Sequence, residues 1–236
     1  MLSRPLLDRV AFFGISWYAI LITGAIVIGY LLASGEARRL HLPQDTVIDF
    51  LLYAIPLGLI CARLYYVAFR FNDYSEDLLS VFNIREGGMA IYGGVIGGLI
   101  AARLVSRKHK ISMLTLLDVV APALVLGQGI GRWGNFVNGE AHGGPTTLPW
   151  GMTIDGQSMV HPTFLYESLW NLAGFVLLHF YSKKRRFKGE IALLYAAWYG
   201  AGRAWIEGLR TDSLYIPGTN IRTSQLVAAC SAVIAL

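Results

Sequence analysis

The chain has 236 residues, 55% of them hydrophobic and only 15% charged, with a formal net charge of +5. Soluble domains carry about 25% charged residues; here the deficit extends over the whole length, with a mean hydropathy of +0.50, which argues against a soluble domain on one anchor. The positive balance does not point to nucleic acid, because all five lysines fall in two short segments, 106–110 and 183–188, that read as inter-helix loops; lipid is the expected anionic partner. No Pro- and Ser-rich linker and no repeat divides the sequence, which reads as one integral domain over 1–236.

A membrane-spanning helix needs about 20 mostly apolar residues, and seven segments qualify: 15–33, 46–69, 89–105, 113–130, 163–181, 191–209 and 223–236. The first follows Arg4 and Arg9, as a signal peptide would. Its apolar run exceeds the roughly 7–15 residues of a signal h-region, so it is kept as a span. The last rises only about 21 Å against a core of about 30 Å, so either it starts at Ile221 or the native chain extends past Leu236. Lys and Arg mark the cytoplasmic side. Loops 35–45, 106–112 and 183–189 hold ten of them, whereas the longer opposite side holds six, all arginine: Arg4, Arg9, Arg85, Arg132, Arg210 and Arg222. The expectation is an all-α integral membrane protein of seven transmembrane helices. Its N-terminus is outside, its C-terminus is cytoplasmic, and a small extracytoplasmic loop region lies between helices 4 and 5. Arginine without lysine on the outer side suggests planar forks that grip phosphate.

In chain order, Trp17-Tyr18 opens the first span, where aromatic-belt anchoring competes with a site role. Cys61 and Cys230 sit in apolar runs and read as small buried hydrophobes. Arg63 and Asp118 lie inside spans as structural ion partners that sequence does not pair. In Arg85-Glu86-Gly87-Gly88-Met89-Ala90-Ile91-Tyr92-Gly93-Gly94-Val95-Ile96-Gly97-Gly98, the pairs Gly93/Gly97 and Gly94/Gly98 suit close helix contact. Tyr92 among them either reaches into a cavity or anchors at the interface.

The block Gly131-Arg132-Trp133-Gly134-Asn135-Phe136-Val137-Asn138-Gly139-Glu140 follows the fourth span. Glycines at 127, 129, 131 and 134 are expected to loosen the helix end, and Arg132, Asn135, Asn138 and Glu140 to point into a cavity. In His161-Pro162-Thr163-Phe164-Leu165-Tyr166-Glu167, Pro162 suits the first helical position. His161 either caps or serves the site, and Glu167 lies within the span, supporting an arginine. In Tyr199-x-x-x-Arg203-x-x-x-Glu207-x-x-Arg210, spacings of four, four and three place all four side chains on one helical stripe. An ionisable residue inside a span is by default a functional candidate. The structural alternative is an Arg203–Glu207 ion pair, and Arg210 is expected to add an uncompensated positive charge.

The five histidines lack ligand spacing, so no metal site is expected, and neither a Walker loop nor a Ser-His-Asp order is visible. The chain offers no strong nucleophile of its own, so a second substrate would supply it. Gly-interrupted helices and buried ions also occur in transporters, but no inverted repeat appears and the polar groups gather at one face.

Together the four blocks resemble the bacterial prolipoprotein diacylglyceryl transferase family, with similarity running from Trp17-Tyr18 to the last span. The resemblance implies transfer of the diacylglyceryl group of phosphatidylglycerol to the lipobox cysteine of a preprolipoprotein signal peptide. A thioether forms and glycerol 1-phosphate leaves. It implies a multi-pass protein of the bacterial cytoplasmic membrane, active toward the extracytoplasmic side and without a cofactor. By position, Arg132 and Arg203 look like the phosphate-binding pair, and Tyr18, Asn135, Glu140, Tyr199 and Glu207 match site positions. Many members carry histidine where this chain has Tyr92, and a phenol with a pKa near 10 is a poor base at neutral pH. The base is left open among a glutamate, His161 and water.

Overall fold

The computed structural model describes residues 2–3, 10–75, 77–83, 87–153 and 159–210. Six helices carry the fold: α1 Trp17–Arg39, α2 Thr46–Phe69, α3 Ile91–Lys108, α4 Met113–Asn138, α5 Thr163–Tyr181 and α6 Glu190–Ile206. They occupy the first six expected spans, and α2 and α5 match to the residue. The expected seventh span lies outside the described residues, as do Arg4, Arg9, Arg85, Arg222 and Cys230. Short strands accompany the helices: β1 Leu2–Ser3 pairs in parallel with β4 Met152–Thr153, and β2 Val10–Phe12 pairs antiparallel with β3 Ile15–Ser16.

By length and composition α1, α2 and α4 are able to cross a membrane, yet only 17% of the most apolar window of α1 and 22% of that of α2 is buried inside the protein. Helices apolar on every side and largely uncovered by protein are solvated by lipid. Leu31, Leu52, Leu64, Leu169 and Phe180 all point outward.

The chain divides into two compact units, Met1–Ala33 with Asp118–Leu236, and Ser34–Leu117. In the second, α2 and α3 touch backbone to backbone. A Cβ on Gly93 would collide with the Cys61 carbonyl, and one on Gly97 with the Leu57 carbonyl. The expected Gly94/Gly98 pair does not take part: a Cβ at either would meet nothing within 4 Å. Arg63, buried in α2, donates to the carbonyls of Ser80, Val81, Asn83, Gly87 and Gly88, tying the segment before α3 to α2.

In the first unit, α5 and α6 run antiparallel through the pairs Tyr181–Glu190, Trp170–Trp198 and Glu167–Arg203. Each tryptophan donates its indole N–H to the other's carbonyl at 2.9 Å, the rings stacked 4.5 Å apart. Gly174 and Gly202 leave room for the indoles of Trp198 and Trp170. At one end Asp118 accepts from Arg185 at 3.0 Å and from the backbone N–H of Gly189 and Ala192 at 2.7 and 3.0 Å. It thereby caps the positive end of α6 from a neighbouring helix. Between the two ends, Ala121, Val125, Leu178 and Ile191 form an apolar core.

Candidate active site

The expected loosening of α4 after residue 130 does not occur: the helix continues through Gly131 and Gly134 to Asn138. Two of its glycines serve packing. Gly129 lies against Ser168 and Asn171 of α5, and the ring of Tyr18 covers Gly134. The helix stops at Gly139, whose φ of 72° is left-handed. There Gly139 N–H donates to Phe136 O at 3.1 Å and Glu140 N–H to Asn135 O at 3.0 Å, a Schellman cap. Carrying the helix this far extends α4 by two turns and delivers Arg132 and Asn135 on a rigid rod.

Three arginines converge on the carboxylate of Glu167, which is 5% exposed. Arg132 Nε from α4 lies 2.8 Å from Oε2, Arg203 Nη1 from α6 lies 3.0 Å from Oε1, and Arg210 Nη1 lies 3.5 Å from Oε1. Arg203 Nη2 reaches Glu207 Oε2 at 2.7 Å, and Arg132 Nη1 donates to Asn135 Oδ1 at 3.2 Å. Three guanidiniums against two carboxylates leave a formal charge of +1. In an apolar setting such a cluster attracts an anion, and its forks match phosphate.

The expected four-residue stripe is broken. α6 ends at Ile206, Glu207–Leu209 form a 3-10 turn, and Arg210 is extended. Arg210 lies 3.5 Å from Glu167, a carboxylate that Arg132 and Arg203 already share, so the cluster keeps an uncompensated positive charge. The segment is held by the loop after α4: Gly144 N–H donates to Leu209 O at 3.0 Å and Gly143 bridges Arg210. A Cβ on Gly143 would lie 2.6 Å from His161 Cβ and 2.9 Å from Leu209 O, so only glycine lets these strands meet.

Glu167, Arg203, Tyr199, Trp170, Asn171, Gly202 and Ile206 line a narrow, partly open cleft. Other candidates have different surroundings. His161 Nδ1 is 3.4 Å from the Tyr166 hydroxyl, which accepts from Trp150 Nε1 at 2.9 Å. Glu140 is exposed just past the helix cap, and Asn138 is half-buried at its last turn. Tyr92 belongs to the second unit, its ring 6.2 Å from that of Tyr65.

Several polar residues escaped the sequence reading. Asn171 and Gln128 sit in apolar spans, and Gln128 Nε2 donates to the Tyr195 hydroxyl at 2.8 Å. Ser168 accepts from Trp133 Nε1 at 3.1 Å. Polar side chains within spans were the available signal, but neutral ones are less conspicuous than charges.

The model of the prolipoprotein diacylglyceryl transferase family matches residues 5–236. Proteins named phosphatidylglycerol–prolipoprotein diacylglyceryl transferase are similar throughout. That of Finegoldia magna is 48% identical over 227 residues, 94% of this chain and 90% of the relative. That of Clostridioides difficile is 47% identical over 214 residues, 89% and 86% respectively. That of Geobacillus kaustophilus is 44% identical over 234 residues, 94% and 86%. Matched at this identity along nearly its whole length, the chain belongs to the prolipoprotein diacylglyceryl transferase family.

Proposed function

We propose that the chain transfers the diacylglyceryl group of phosphatidylglycerol to the lipobox cysteine of a preprolipoprotein, releasing glycerol 1-phosphate. The observation that carries this reading is the convergence of Arg132, Arg203 and Arg210 on Glu167 beside a lipid-solvated surface. The cysteine sulfur attacks the terminal glycerol carbon of the diacylglyceryl group. The C–O bond to phosphate breaks, its electron pair stays on the phosphate oxygen, and the thiol proton passes to a base. The arginines stabilise the departing phosphate, while Glu167 and Glu207 hold their forks in place. Tyr18, Asn135, Asn138, Glu140 and Tyr199 complete the substrate surroundings. The proton acceptor is sought among a glutamate, His161 and water.

The chain acts as a single transferase over 1–236, in seven spans of the bacterial cytoplasmic membrane, N-terminus outside. The lysine-rich turn 183–188 marks the cytoplasmic side. The arginine cluster, at the opposite ends of α5 and α6, then faces the extracytoplasmic leaflet.

Purified protein given phosphatidylglycerol vesicles and a lipobox peptide is expected to add a diacylglyceryl mass to the peptide cysteine and release glycerol phosphate. Arg132→Ala and Arg203→Ala each abolish transfer while the protein still folds. Arg203→Lys loses at least about tenfold, since one ammonium does not replace a two-sided fork. Unmodified peptide with intact lipid, or near-normal turnover in either alanine variant, refutes the reading.

A further inference from the structure

We propose that Asn171 is a lipid-contacting residue whose side-chain amide donates to an ester carbonyl of the diacylglyceryl group; this deepens the transferase reading and rests on it. Asn171 is 2% exposed, and its Nδ2 has no hydrogen-bond partner among the described residues. A buried amide N–H without an acceptor is costly, and this one borders the cleft that Glu167 and Arg203 open. Its place is fixed by packing: a Cβ added to Gly129 would lie 3.4 Å from Asn171 Cβ, so α4 presses its backbone against this side chain.

Depth identifies the acceptor. Asn171 follows Glu167 by one turn of α5 on the same face, about 6 Å farther from the arginines. Tyr199 precedes Arg203 by one turn of α6, which runs the other way, so Tyr199 and Asn171 form the inner end of the cleft. With phosphate among the guanidiniums, a glycerol backbone spans that distance and brings an ester carbonyl level with Asn171. A neutral donor suits a neutral carbonyl there, where a cation would compete for the phosphate.

The test compares diester phosphatidylglycerol with its dialkyl ether analogue, which keeps the phosphate and lacks the carbonyls. Transfer from each is measured as kcat/KM, and retention of each by the detergent-purified protein is measured by native mass spectrometry. The wild-type chain is expected to favour the diester by about three- to tenfold, the worth of one neutral hydrogen bond. In Asn171→Leu the diester-to-ether ratio falls to near unity. Asn171→Ala gives the same result and serves if the leucine variant does not fold. Equal handling of both lipids by wild type, or an undiminished preference in the variants, overturns the proposal. Diester preference in retention without any transfer would instead overturn the transferase reading and leave the Asn171 contact standing.

Discussion

Glu167 answers three guanidiniums with one nearly inaccessible carboxylate, so its charge matters more than its volume. Replacing it by glutamine keeps the shape and leaves Arg132 and Arg210 without their anion, while Arg203 keeps only Glu207. Breaking a buried pair from one side costs about 3–5 kcal/mol. Glu167→Gln is therefore expected to lower the thermal midpoint clearly and reduce transfer at least about a hundredfold, because misplaced forks no longer meet phosphate together. Thermal unfolding in detergent and the peptide assay check both; an unshifted midpoint with full activity would contradict the hub. The Arg203–Glu207 pair is readable from i,i+4 spacing alone. The convergence on Glu167 is not, because Arg132, Glu167 and Arg203 come from three helices about 35 residues apart in sequence, and no local period encodes it. The approach of Arg210 to Glu167 is hidden for the same reason: that carboxylate lies on a helix whose position only tertiary packing decides.

At the scale of elements, glycine explains where sequence reading succeeded and where it missed. α2 and α5 are mostly apolar runs between polar or Pro-marked ends, so their limits were legible. In α4 the glycines looked like an ending. A helical glycine costs about 0.5–1 kcal/mol relative to alanine, and close packing against Tyr18, Ser168 and Asn171 offsets that cost. Only Gly139, in the left-handed conformation, ends the helix. The glycines of α3 divide in the same way and allow a sharp comparison. Gly93→Ala drives a methyl into the Cys61 carbonyl, which cannot rotate away, so α2 and α3 must separate and the fold is expected to be lost or lowered by about 1–3 kcal/mol. Gly94→Ala, one residue on, meets open space and is expected to be neutral or stabilising by about 0.5–1 kcal/mol. Paired melting curves decide it; equal effects would mean that the α2–α3 contact is placed wrongly.

Over the longer reach of the first unit, the polar groups collect at two levels. Asp118 with Arg185 marks one and Arg132 with Glu167 the other, 14 residues apart along α4, or about 21 Å. The stretch between is mostly apolar, with Val119, Ala121, Val125 and Leu126 packed inside the protein and Leu124 exposed, and its length compares with a hydrocarbon core of about 30 Å. Composition made this layering legible, since charges were scarce and confined; which charges pair was decided by the helix packing. The clusters have separate tasks, and a crossed pair of variants separates them. Asp118→Asn removes the anion that holds Arg185 and the N–H groups opening α6, so stability is expected to fall by about 3–5 kcal/mol. Its KM for phosphatidylglycerol and its turnover per folded molecule stay near wild type, because the far end of α6 keeps Arg203 against Glu167. Arg132→Ala does the reverse: Glu167 retains Arg203 and Arg210, the melting temperature moves little, and transfer disappears. Midpoints by thermal unfolding and rates normalised to folded protein test the crossing. If Asp118→Asn raised the lipid KM as strongly as an arginine variant does, the two ends would be one coupled site, and the assignment of lipid binding to the arginine end alone would fail.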